Sequence, residues 1–177
     1  MQQDILILGL GNFLLRDDGL GIRALERLQD RYELPEGVEC VDGGVMGLEL
    51  MAHVEGRTHL LAIDAVQTGR EPGSLVRLEG DEIPKGLTFK LSMHQVSFAD
   101  IMALSTLRGT LPPRLVVWGI VPAELETGVG LTPIVESQLD RLVEAVVGEL
   151  QAWGIDAIPK ADAIGPTNLE QMLKRIR

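Results

Sequence analysis

The chain has 177 residues, of which 45% are hydrophobic and 24% are charged, and its net charge is −10. This indicates one compact domain with a sizeable core. No apolar run approaches the roughly 20 residues of a bilayer-spanning helix, and the run around Asp4 is too short for a signal peptide. Cys40 is the single cysteine, which excludes an internal disulfide and a thiolate metal cluster. We therefore expect a cytoplasmic protein.

The charge is unevenly distributed. Residues 160–177 carry four basic and two acidic side chains, so the acidic excess lies in residues 1–159. A strongly acidic body repels nucleic acid and anionic membranes, and we expect neither as a partner.

The first strand and the turn after it organise the predicted fold. The apolar run Ile5–Leu8 stops at Gly9-Leu10-Gly11, which is typical of a buried parallel strand. Asp17 and Asp18 stand where the next helix is expected to begin. Its apolar stripe is Leu20, Ala24, Leu25, Leu28 and Tyr32. Open α/β sheets bind ligands where a strand's carboxyl end meets a helix start, so both carboxylates are expected at the mouth of a site.

Four further strands are predicted, over residues 37–44, 58–65, 74–79 and 114–120. The first of them ends in an Asp42-Gly43-Gly44 turn and the second ends at Asp64, while the third alternates like an exposed or edge strand. Because helices separate the strands, we expect a three-layer α/β fold in which a mostly parallel sheet has helices on both faces.

Two features stand out in the second half of the chain. A long loop is predicted over residues 80–93, and His94 follows it directly before a helix of about residues 95–107. Long loops in compact domains are usually functional. Thr132 is predicted as the N-cap of the last core helix, with Pro133 at its first position.

Three predicted strands lead to an aspartate at one edge of the sheet. Asp18 follows the first strand, Asp42 ends the second and Asp64 ends the third. His94, at a loop-to-helix junction, is placed to join them. Clustered carboxylates are unfavourable unless a cation or a proton intervenes. Two carboxylates and an imidazole suit a divalent transition metal such as nickel, zinc or copper, and three ligands leave coordination positions open.

These residues also have structural interpretations. An aspartate at a helix start, whether Asp17 or Asp18, favours the helix dipole, and Asp42 before two glycines is a common turn signal. The Gly9-Leu10-Gly11 turn suggests dinucleotide binding, but Leu14 stands where the third glycine is required. Carboxylates at the helix start would also repel a pyrophosphate, which disfavours a nucleotide-binding module.

Five motifs follow one another between residues 4 and 159. They are Gly9-Leu10-Gly11-Asn12 with Asp17-Asp18-Gly19-Leu20-Gly21, then Asp42-Gly43-Gly44, Ile63-Asp64-Ala65, Ser92-Met93-His94-Gln95, and Gly119-Ile120-Val121-Pro122 with Gly130-Leu131-Thr132-Pro133. In order and spacing they resemble the hydrogenase maturation endopeptidases, which trim the C-terminus of the NiFe-hydrogenase large subunit.

The resemblance implies a twisted, mostly parallel five-stranded sheet and a peptidase domain over residues 1–159. Residues 160–177 lie outside it, and we expect them to form a tail. In this tail Thr167-Asn168-Leu169-Glu170 is a capping-box pattern that precedes a short amphipathic helix. We expect the protein to be a monomer.

The resemblance also implies a substrate, a large-subunit precursor that already carries nickel. By position, Asp18, Asp64 and His94 would read this nickel as metal ligands, although Asp17 is an alternative to Asp18. Asp42 would be needed for processing, either as a general base or beside metal-assisted hydrolysis. Because three protein ligands do not complete a coordination shell, the nickel is expected to be presented by the precursor rather than held tightly by the free enzyme.

A different class of function also fits these residues. The protein would then be a non-catalytic, metal-dependent checkpoint that binds the precursor without cutting it. Incubation with nickel-loaded precursor separates the two, because only an endopeptidase lowers the mass of the large subunit.

Overall fold

The computed structural model describes residues 4–44, 46–83 and 97–161. Its strands are β1 (Ile5–Leu10), β2 (Tyr32–Glu33), β3 (Val38–Gly44), β4 (His59–Ala65), β5 (Leu75–Glu79), β6 (Arg114–Ile120) and β7 (Ile158–Pro159). Five of them form the central sheet in the order β3-β1-β4-β6-β5. All neighbours pair in parallel except β5, which lies antiparallel to β6 at one edge. The predicted five-stranded, mostly parallel sheet is confirmed.

Helices cover both faces of this sheet. They are α1 (Leu20–Arg31), α2 (Leu50–Val54), α3 (Phe98–Arg108), α4 (Pro133–Glu136) and α5 (Leu139–Ala152), with 3-10 turns at Arg16–Gly19 and Gly80–Glu82. Helices α1 and α5 pack on one face, while α2 and α3 pack on the other. The three-layer prediction is therefore confirmed. Within the described ranges no helix combines the length and apolarity that crossing a membrane requires.

Strand β1 lies between β3 and β4, and both of its faces are buried. Ile5 and Ile7 contribute to the core beneath α1 and α5, whereas Leu6 and Leu8 contribute to the core beneath α2 and α3. A parallel strand covered on both sides is apolar throughout instead of alternating, and this explains the continuous run in the sequence.

Two glycines allow the start of α1 to approach the ends of β1 and β4. A Cβ atom on Gly21 would lie 2.1 Å from the Ile63 carbonyl oxygen. Gly11 has φ +119, and a Cβ atom there would lie 1.7 Å from the Asp18 carbonyl oxygen. Only glycine is compatible with these contacts, which bring the turn of Asp17 and Asp18 onto the carboxyl edge of the sheet.

The structure corrects two local predictions. Tyr32 is not part of the α1 stripe, because the helix ends at Arg31 and Tyr32 turns into the extended strand β2, where it pairs with Pro159 of β7. The last core helix does not begin at Pro133 as one element. Residues 133–136 form the short α4, and α5 begins at Leu139 after a break.

Candidate active site

The carboxyl edge of the sheet holds the three aspartates that the strand pattern predicts there. Gly9 of β1 pairs with Asp42 on β3 and with Ile63 on β4, so Asp42 and Asp64 lie at nearly the same level on the strands flanking β1. Asp18 belongs to the 3-10 turn after β1, and this turn contacts β4.

Asp18 lies beneath the loop that follows β1. Its side chain is largely buried, with 7% of the residue exposed. Its Oδ2 atom accepts a hydrogen bond from the Asn12 backbone N–H at 2.8 Å, and its backbone N–H donates to the Leu15 carbonyl at 3.1 Å. The loop thus holds the carboxylate of Asp18 through Asn12 and the backbone of Asp18 through Leu15.

Asp64 lies on the face of the sheet covered by α2 and α3. Its neighbours in alternation, Ala62 and Val66, pack into the core on that face, and side chains two residues apart in a strand share a face. Asp64 is 4% exposed, and its Oδ1 atom accepts a hydrogen bond from the Ala65 backbone N–H at 2.8 Å.

Asp42 lies at the same edge but on the opposite face from Asp64. Val38 and Cys40, which alternate with it along β3, pack against the core of α1 and α5. Strands β3 and β4 are separated by β1, so their backbones are about 10 Å apart. Asp42 is also exposed to solvent, unlike Asp18 and Asp64. The three carboxylates therefore share one edge of the sheet as expected, but they do not converge, because Asp42 and Asp64 lie on opposite faces.

His94 lies outside the described residues, as does the rest of segment 84–96. Within the ranges that the structure describes, no group of three His, Cys, Asp or Glu residues is arranged to hold a metal ion. The ligand set of Asp18, Asp64 and His94 includes the histidine and stays a prediction.

Asp17 points away from this edge and into the loop that connects β6 to α4. It is fully buried, and its two oxygens accept hydrogen bonds from the backbone N–H groups of Ala123 and Glu124 and from the N–H and hydroxyl of Thr132. Of the two neighbouring aspartates, Asp18 is therefore the candidate for the site.

Sequence reasoning missed this role of Thr132. Its position before Pro133 predicts a helix N-cap, yet its side chain makes no capping hydrogen bond and donates to Asp17 instead. The sequence signal that could have indicated this contact is the presence of two consecutive aspartates, Asp17 and Asp18, because neighbouring side chains in a short turn point in different directions.

Nucleophilic cysteine chemistry is excluded by the environment of Cys40. Burial, with a contribution from Glu39, raises the pKa of the Cys40 thiol to about 12. The thiol therefore stays protonated at neutral pH, whereas the nucleophile of a cysteine peptidase is a thiolate.

A mostly parallel sheet with helices on both faces and aspartates at its carboxyl edge defines the class, an α/β protein whose acidic edge is the candidate site. Comparison with known proteins narrows this class. The family model HycI, hydrogenase maturation protease, matches residues 22–149. The chain is 40% identical over 157 residues to the hydrogenase 2 maturation protease of Escherichia coli K12, covering 88% of this chain and 96% of that protein. The chain belongs to the hydrogenase maturation protease family and is an endopeptidase.

Further relatives agree in sequence and in fold. The hydrogenase expression/formation protein HupD of Rhodobacter capsulatus is 37% identical over 179 residues, covering 98% of this chain and 85% of that protein. Among solved structures, the hydrogenase maturating endopeptidase HybD from E. coli superposes with a TM-score of 0.83 at 40% identity, covering 89% of this chain and 98% of that one.

Proposed function

We propose that this endopeptidase removes the C-terminal extension of a NiFe-hydrogenase large-subunit precursor after nickel has been inserted. Its family membership supports an action on hydrogenase precursors. The observation that carries the site assignment is the pair Asp18 and Asp64. Both are nearly buried, and they lie on adjoining elements at the edge where α/β proteins bind ligands.

The proposed role of this pair is to read the nickel. Placing carboxylates together in a partly buried site is unfavourable unless a cation balances them, so the edge favours a positively charged ligand. With the imidazole of His94, the set would offer two oxygens and one nitrogen, which suits nickel. The nickel is part of the substrate and arrives with the precursor, so processing would wait for metal insertion.

Asp42 is the proposed group that activates water. It is exposed at the end of β3, so its carboxylate is accessible to solvent at the same carboxyl edge as Asp18 and Asp64, on the opposite face of the sheet from Asp64. As a general base it would take a proton from water while the water oxygen bonds to the scissile carbonyl carbon. The carbon–nitrogen bond then breaks, and the proton is passed to the departing amine.

The remaining features of the proposal concern partners. The precursor is the proposed macromolecular partner, and the acidic body makes nucleic acid and anionic membranes unfavourable ones. We propose further that the enzyme acts as a cytoplasmic monomer.

The experiment is an intact-mass measurement. Purified chain is incubated with precursor that carries nickel and, in parallel, with precursor purified without nickel. A mass loss equal to the C-terminal extension in the first sample alone supports the proposal. Complex formation without mass loss would support the non-catalytic checkpoint, and equal mass loss in both samples would overturn the nickel reading.

A further inference from the structure

We infer that Asp17 is a positioning residue for substrate recognition. Its buried carboxylate holds the loop of residues 121–132 against the turn that carries Asp18, and so fixes the geometry in which Asp18 meets the substrate. This inference rests on the proposed function of Asp18.

The carboxylate of Asp17 accepts four hydrogen bonds, about as many as it has lone-pair sites. Its Oδ2 atom accepts from the backbone N–H groups of Ala123 at 2.9 Å and Glu124 at 3.0 Å, and from the Thr132 hydroxyl at 2.9 Å. Its Oδ1 atom accepts from the Thr132 backbone N–H at 2.7 Å. Hydrogen bonds to an ionised acceptor are the stronger kind, and four of them offset the burial of this charge. Both ends of the loop are thereby tied to one side chain.

Backbone contacts next to Asp17 connect the same two segments. Arg16 donates its N–H to the Gly128 carbonyl at 3.0 Å, and Gly128 donates to the Leu14 carbonyl at 2.9 Å. Arg16 has φ +46, the one positive φ outside glycine among the described residues. Such a backbone persists only where its surroundings hold it. The Arg16 side chain also pairs with Glu124 at 3.2 Å.

The hydrogen bonds of Asp17 also constrain Asp18, because Asp17 and Asp18 are consecutive in a 3-10 turn of four residues. Asp17 cannot shift without carrying the Asp18 backbone with it, and Asp18 cannot reorient without breaking its hydrogen bond from Asn12. A carboxylate that is held in place binds an incoming ligand without first being ordered, which favours recognition.

The first test is the variant Asp17→Asn. An amide retains one acceptor oxygen and replaces the other by NH2, so at least one of the four donors loses its acceptor. We expect the KM for nickel-loaded precursor to rise at least about tenfold, the size of effect that follows loss of a hydrogen bond to a charged group. The kcat is expected to stay within about threefold of wild type.

A merely structural role gives a different kinetic result. Partial unfolding lowers the concentration of active enzyme, so the maximal rate falls while KM is unchanged. Glu149→Gln is the matched control, because Glu149 is another buried carboxylate, held by Arg77 and Trp118 on the face of the sheet that α1 and α5 cover, opposite the face of Asp64. We expect this control to keep the wild-type KM. An unchanged KM in Asp17→Asn would overturn the inference.

A second pair of variants applies if Asp17→Asn does not fold. Thr132→Ser keeps the hydroxyl that donates to Asp17, whereas Thr132→Val removes it. We expect Thr132→Val to raise KM and Thr132→Ser to restore the wild-type value, and equal KM values in both variants would overturn the inference. Wild-type chain runs in the same assay. If wild type fails to cleave, the proposed function has failed, whereas cleavage by wild type with unchanged KM in the variants refutes the role of Asp17 alone.

Discussion

The carboxylate of Asp17 accepts two hydrogen bonds from Thr132, one from its backbone N–H at 2.7 Å and one from its hydroxyl at 2.9 Å, across 115 residues of sequence. This contact separates the roles of two adjacent aspartates. Asp17 faces inward and holds a loop, while Asp18 is left at the carboxyl edge as the candidate for recognising the substrate. In this acidic pair, Asp17 is therefore the inferred positioning residue and Asp18 is the candidate for contacting the substrate.

Asp64→Asn is expected to reduce processing of nickel-loaded precursor by at least about 100-fold, because the amide is a weaker metal ligand than a carboxylate. The side chain keeps its size, so the free energy of unfolding is expected to change by less than about 1 kcal/mol. Intact-mass kinetics and denaturant unfolding measure the two quantities. Asp30→Asn is the matched control, since Asp30 is exposed at the far end of α1. Processing at the wild-type rate by Asp64→Asn would remove Asp64 from the site.

Asp42→Asn is expected to impair cleavage more than binding. If Asp42 is the general base, its loss lowers kcat by about 100-fold while the precursor still binds, because the base acts only in the chemical step. Single-turnover cleavage and a separate pull-down of nickel-loaded precursor measure the two effects. An equal loss of binding and cleavage would instead make Asp42 a residue of the Gly43-Gly44 turn.

Glu149 is expected to make a pH-dependent contribution to the free energy of unfolding. Hydrogen bonds from Arg77, at 2.7 and 2.9 Å, hold the pKa of this carboxyl below its ordinary value of 4.5, and Trp118 adds a third at 3.1 Å. Because the folded pKa is the lower one, the stabilisation is present above pH 4.5 and is lost as the pH falls through the folded pKa.

Glu149→Gln therefore is expected to lower the free energy of unfolding by about 1–3 kcal/mol at neutral pH. The difference from wild type is expected to shrink as the pH falls below about 4. Urea unfolding across this pH range measures it, and Glu144→Gln, at an exposed position on the same helix, is the control. A difference that stays constant with pH would contradict the assignment.

Removal of residues 162–177 is expected to leave cleavage within about twofold of wild type, because the motifs of the site all precede this segment. The truncation is placed after Ala161 instead of after Pro159, where the predicted peptidase domain ends. Lys160 donates its backbone N–H to the Arg31 carbonyl at 2.8 Å and its Nζ to the Gln29 carbonyl at 2.6 Å, so Lys160 belongs with β7. Chains ending at Ala161 and at Arg177 are compared by intact-mass kinetics, and an inactive shorter chain would give the tail a role in processing.

The sheet could be predicted because its signals are local. The continuous apolar run of β1 and the alternation in β5 each follow from which faces of a strand are covered. The aspartates could be placed at one edge because parallel strands share their carboxyl ends. The face on which Asp42 lies could not be predicted, since β3 has apolar residues on both faces, Cys40 on one and Val41 on the other.

The contact between Asp17 and Thr132 could not be predicted either. It joins two loops whose approach depends on the packing of α1 against β1 and β4, and a Thr-Pro pair has a strong local interpretation as a helix start. Gly11 and Gly21 let the start of α1 and the turn before it approach the ends of β1 and β4, which sets the position of the turn that carries Asp17. The contact between Asp17 and Thr132 therefore depends on the assembled sheet and not on local sequence.

Asp18 is the residue through which we propose that the enzyme recognises nickel in its precursor. The most direct measurement is the intact mass of the large subunit after incubation with wild type and with Asp18→Asn, each with nickel-loaded and nickel-free precursor. We expect wild type to shorten the nickel-loaded precursor alone and Asp18→Asn to shorten neither. Shortening of nickel-free precursor by wild type, or shortening by Asp18→Asn at the wild-type rate, would contradict the claim.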